Sequence, residues 1–198
     1  MINFKDCAKY YAQEAHQDEA WDYLQQNVTE DTLEKFAVIY RNKKVTGAVQ
    51  EATSGKTSAD GIALIKEFEG LRLESYYCAS GVLTIGYGST GTNVYEGQVI
   101  TEAEAEELLK KDLMRFEDGV TRLINRHLTQ HEFDAIVSFA FNVGNGALEE
   151  STFRKRMNRG DDKATCFREE FPKWVKGPNG PLPGLVRRRD AEVALATT

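Results

Sequence analysis

Phe68-Glu69-Gly70-Leu71-Arg72-Leu73, then Tyr76-Tyr77-Cys78, then Val82-Leu83-Thr84-Ile85-Gly86-Tyr87-Gly88, is the stretch in which the hydrophobic spacing changes period. Before it, Ser58 is a suitable N-cap, and Ile62, Ile65 and Phe68 recur at helical spacing up to Glu69, where Gly70 supplies a stop. After it, β-branched and aromatic residues on either side of Ala79-Ser80-Gly81 read as a hairpin and its continuation toward Tyr95. The segment therefore predicts a helix that ends in a carboxylate and runs at once into a small antiparallel sheet. It is the one convincing β region of the chain.

Outward from this point the pattern is helical. Thr101-Glu102-Ala103-Glu104 is a capping box that opens a long helix with Leu109, Leu113, Phe116, Val120 and Leu123 in one apolar stripe. Thr129-Gln130-His131-Glu132 is a second box, and the helix behind it, through Phe133, Ile136, Val137, Ala140 and Phe141, is apolar on most faces and belongs in the centre of a core. Ser151 caps a short helix stopping at Gly160, Asp161 caps another to about Phe171, and the Pro- and Gly-rich loop 177–184 leads into a last helix. Residues 1–57 read as a separate small helical module, with Trp21 among its helically spaced aromatics, ending in a Thr/Gly/Ser/Ala-rich linker; residues 58–198 form the second domain.

Composition excludes several classes. Of 198 residues, 25 are Lys or Arg and 31 Asp or Glu, a net charge of −6, which argues against sequence-independent nucleic-acid binding because that needs a basic footprint. Arg187-Arg188-Arg189 is a dense basic cluster, but only three residues long. Three widely spaced cysteines, Cys7, Cys78 and Cys166, imply no disulfide framework and fit a reducing compartment. Neither a secretory signal nor a bilayer-spanning segment is readable, so no membrane insertion is expected. His127 and His131 are four apart, but the Thr129 cap between them should break the helix that would align them on a metal.

Glu69, eight residues, Cys78, five residues, Thr84: this spacing resembles the catalytic signature of phage-type lysozymes, glycoside hydrolase family 24. Phe139-Ala140-Phe141-Asn142-Val143-Gly144 with Ser151-Thr152-Phe153, and Leu182-Pro183-Gly184-Leu185-Val186-Arg187-Arg188-Arg189, are similar to later motifs of that family, so the resemblance covers roughly residues 58–198 in order. It implies an α+β, mostly helical lysozyme fold with a small β-hairpin subdomain. The activity implied is that of an endolysin muramidase, which cleaves the β-1,4 bond between N-acetylmuramic acid and N-acetylglucosamine in peptidoglycan and lyses the host. A lytic transglycosylase, or a non-catalytic peptidoglycan-binding protein on the same scaffold, is the alternative. The resemblance makes Glu69 the general acid, gives Cys78 and Thr84 the attacking water in an inverting reaction, and places Gly88 and Asn142 along the sugar cleft. It requires no metal and no organic cofactor. It further implies an enzyme that waits in the host cytoplasm and reaches the periplasm and cell wall through a lesion made by a holin; a monomer is expected, and the separable composition and aromatics of residues 1–57 predict an accessory role for that module, either directing the enzyme to the wall or positioning it.

The residues support that chemistry independently. A carboxyl at a helix C-terminus beside Phe68 and Leu71 meets the negative end of the dipole and an apolar setting, both of which favour the protonated form a proton donor needs. Glycines at 81, 86 and 88 would let a sugar approach the backbone closely. Cys78 stands where many members of the family carry Asp, and a thiol of ordinary pKa, about 8.5, is mostly neutral at pH 7. Arg187 and Arg188 could orient an acidic group, but surface arginines contribute little as a class, and the sequence does not place them in the site.

Overall fold

The computed structural model describes residues 55–78, 80–178 and 180–198, all within one unit, Glu51–Thr198. Apart from its last three residues, the N-terminal module expected over 1–57, Trp21 included, lies outside the described residues. The first helix, α1 (Ala59–Glu69), starts where the sequence placed it: the Ser58 side chain accepts from the Gly61 N–H, and at the far end the Gly70 N–H bonds the Lys66 carbonyl with Gly70 at φ +72°. Its start is tied down further. Ser58 donates through both N–H and Oγ to Asp134, and Thr57 through N–H and Oγ1 to Glu117.

Two residues beyond α1 the chain enters a three-stranded antiparallel sheet in sequence order, β1 (Arg72–Tyr77), β2 (Leu83–Gly86) and β3 (Ser89–Thr90). The β1–β2 turn closes with Gly81 N–H donating to the Cys78 carbonyl at 2.8 Å and Cys78 N–H to the Val82 carbonyl at 3.0 Å, and Gly81 takes φ +76°, which a residue with a Cβ resists. The register, Tyr76 opposite Thr84, slips between Arg72 and Tyr76, and this bulge bends the sheet where it leaves the helix.

The long helix α2 (Glu102–Leu123) and the central α3 (Gln130–Val143) follow, both opened by reciprocal capping boxes. The predicted α2 stripe is buried along its length. On α3, every residue from Glu132 to Ala140 is buried, because α1, α2 and the C-terminal helix Pro183–Ala196 pack around it. Then come α4 (Asn145–Glu150), α5 (Thr152–Arg159) and α6 (Lys163–Glu170), the last running into a 3-10 turn at Phe171–Lys173. Phe139, Phe153, Phe167 and Phe171 interlock here with ring centroids 4.5–5.1 Å apart.

Two local expectations are corrected. The cap of α6 is Asp162, whose carboxylate takes the Thr165 N–H at 2.8 Å; Asp161 is drawn away by Arg156 and Arg159. The loop 177–184 is also not all loop: β4 (Lys176–Gly177) and β5 (Gly180–Pro181) form a second, two-stranded hairpin, and α7 (Pro183–Ala196) begins with Pro183 in its first turn. The overall class is as read from the sequence, mostly helical with a small antiparallel sheet. Among the described residues no helix is long and apolar enough to cross a membrane.

Candidate active site

The end of α1 and the β1–β2 hairpin supply the three residues of the spacing signature. Glu69 is the last residue of α1, Cys78 follows β1, and Thr84 lies on β2. Because Tyr76 opposes Thr84 and Cys78 bonds Val82, Cys78 and Thr84 are diagonal neighbours on one face of the hairpin. Thr84 is buried, its hydroxyl donating to the Val82 carbonyl at 3.0 Å. The thiol of Cys78 remains accessible.

Its surroundings change what Cys78 is. The Ser80 hydroxyl lies 3.0 Å from the sulfur, and this hydrogen bond first, then the Ser80 and Val82 backbone N–H groups, with a smaller contribution from Thr84, pull the thiol from its usual value to about 7. A depressed pKa makes the thiolate the main form above pH 7 and the thiol the main form below it. Burial pushes Cys166 in the opposite direction. In a Cys7→Ser background, iodoacetamide labelling is therefore expected only at Cys78, with a rate half-maximal near pH 7. Ser80→Ala should move that midpoint upward, and an unchanged midpoint would show that the Ser80 contact does not set it.

Glu69 is not in the purely apolar setting suggested by Phe68 and Leu71. Its side chain is 23% exposed, and Oε1 accepts from Arg188 Nη1 at 2.6 Å. Arg188, a surface residue by its sequence pattern, is only 3% exposed, with its guanidinium 5.8 Å over the Phe68 ring. The one readable signal was the four-residue spacing of Arg188 and Glu192 on a helix.

Asn142, near the C-terminus of α3, is exposed, and its Oδ1 accepts from Arg189 Nη2 at 2.9 Å, which leaves the amide N–H groups for another partner. Gly88 sits in the exposed turn between β2 and β3 at φ +98°, with open space where a Cβ would project. The turn alone explains glycine there, and the open space permits close approach of a ligand. His131 lies 3.5 Å from Asp60, so its nearest charged neighbour belongs to α1.

The phage lysozyme family model matches residues 66–192, which span α1's last turn to α7. The endolysin of Acyrthosiphon pisum secondary endosymbiont phage 1 is 44% identical over 146 residues, 70% of this chain and 95% of that protein. The endolysin of Bacillus phage B103 is 46% identical over 143 residues, 71% of this chain; the chain spans only 54% of that relative's length. Among solved structures, the muramidase domain of SpmX from Asticaccaulis excentricus superposes with a TM-score of 0.67 at 38% identity, covering 72% of this chain and 98% of that one.

Proposed function

Because this chain belongs to the phage lysozyme family, we propose that it is an endolysin muramidase that hydrolyses the β-1,4 bond between N-acetylmuramic acid and N-acetylglucosamine in peptidoglycan. The observation that carries this reading is a carboxyl at a helix end, gripped by a buried arginine and followed within ten residues by a hairpin bearing a nucleophilic sulfur and a hydroxyl on one face. Glu69, as the general acid, gives a proton to the departing glycosidic oxygen. Cys78 and Thr84 hold a water on the other side of the sugar ring, and a Cys78 thiolate is both a base for that water and a partner for positive charge at the anomeric carbon. Asn142 and Gly88 contact the saccharide. No step in this sequence calls for a metal or an organic cofactor.

The same proposal extends to the cell. The substrate partner is the cell wall, reached from the host cytoplasm through a holin lesion; the enzyme acts as a monomer, and residues 1–57 serve as an accessory module that directs it to the wall. Mass spectrometry of muropeptides released from purified peptidoglycan tests the reaction. Reducing N-acetylmuramic acid ends are expected. Anhydro-muramic ends would make the protein a transglycosylase, and wall binding without release would make it a binding protein. The same assay on a chain starting at Gly55 tests the module: unchanged wall affinity and release would remove its accessory role.

A further inference from the structure

The three buried residues of α7 are all charged: Arg188, Arg189 and Glu192. One carboxylate organises them. Glu192 Oε1 accepts from Ser138 Oγ at 2.7 Å, from Arg188 Nε at 3.2 Å and from Arg189 Nη2 at 3.3 Å, while Oε2 lies 3.0 Å from Arg189 Nε. Each guanidinium is then committed in a different direction. Arg188 places Nη2 on the Ser138 carbonyl and Nη1 on Glu69; Arg189 lies 4.9 Å over the Phe139 ring and places Nη2 on Asn142.

Stability does not explain this cluster. Burying ions costs several kcal/mol of desolvation per group, and buried ion triads can be replaced by apolar side chains of similar volume without loss. Here Arg189 Nη1 is buried without a hydrogen-bond partner among the described residues, a further cost. What a forked cation held on a buried carboxylate does provide is direction, because its remaining N–H groups can point only one way.

We propose that Glu192 is a positioning residue that fixes two site residues at once, Glu69 through Arg188 and Asn142 through Arg189. The proposal rests on the reading of Glu69 as general acid and Asn142 as a sugar contact. The proton donor sits at the end of α1 and the amide on α3, so a shared anchor on α7 keeps their separation constant. Glu192 reaches both arginines because they stand one helical turn before it, at i−4 and i−3, on the same face.

The test is steady-state hydrolysis of purified peptidoglycan by the full chain, with thermal unfolding recorded alongside. Glu192→Gln, which keeps shape and removes charge, is expected to lower kcat and raise KM together, with kcat falling on the order of ten- to a hundredfold through misplacement of the acid. Arg188→Lys should lower kcat with little change in KM, and Arg189→Lys should raise KM with little change in kcat. A general loss of packing would move both constants alike in both variants and overturn the proposal, as would wild-type constants in Glu192→Gln. Should Glu192→Gln not fold, the split between the two lysine variants decides. The Nε–Hε NMR signals of Arg188 and Arg189 separate this proposal from the reading beneath it. Slow proton exchange that depends on Glu192 in a protein releasing no sugar would overturn the muramidase reading and keep the positioning role. Signals and constants indifferent to Glu192 in an active enzyme would overturn the positioning role alone.

Discussion

Glu69→Gln should lower muropeptide release by roughly 10²–10⁴-fold, the usual contribution of a positioned general acid, while the protein melts within a few degrees of the wild type. The two halves of this expectation have separate origins. Gln cannot deliver a proton at any working pH, so the leaving oxygen departs as a poorer leaving group. It does keep the side-chain oxygen that accepts from Arg188, at 2.6 Å in the wild type, so Arg188 is not stranded. Arg188 also retains Glu192 and the Ser138 carbonyl. A variant that loses activity and stability together would mean that Glu69 is chiefly an ion-pair partner. A variant that stays active would move the proton donor elsewhere and leave the proposed mechanism without its first step.

The place of Glu69 at a helix end was legible because its signals are local: a helical period, a glycine stop and a change of period can be read within about twenty residues. The capping boxes at Thr101 and Thr129 were legible for the same reason, each being two reciprocal bonds across three residues. Arg188 was not, because its partner is 119 residues away and only the folded chain brings α7 against the end of α1. Period rules also work against it: Arg188, Arg189 and Glu192 occupy positions where an apolar stripe belongs, so a pattern-based reading sends them to solvent. The β4–β5 hairpin escaped because two-residue strands carry no alternation to detect. Asp161 and Asp162 are equally good caps by residue type, and the choice was made by Arg156 and Arg159, which hold Asp161.

Phe171→Ala is the substitution expected to cost the most stability, about 3–5 kcal/mol, read as a fall in the urea midpoint at unchanged slope. Phe171 is fully buried in the turn after α6 and touches three other rings: Phe139 stacked at 4.5 Å, Phe153 at 4.8 Å and Phe167 at 5.1 Å. Those rings come from α3, α5 and α6, so no single helix can slide in to fill the void, and a cavity rather than a collapse is the outcome. For contrast, Met114→Ala on the outer face of α2, 51% exposed, should change stability by no more than about 0.5 kcal/mol. The loss should also reach the site. Phe139 contacts both Phe171, stacked at 4.5 Å, and the guanidinium of Arg189, 4.9 Å from its ring, and a loosened Phe139 lets Arg189 turn away from Asn142. Well below its melting point, Phe171→Ala is therefore expected to raise KM while leaving kcat within about threefold, since Arg188, which holds Glu69, lies over Phe68 instead. A drop in kcat at constant KM would contradict this division, and would mean that the aromatic cluster supports the α1 end of the site more than the α3 end.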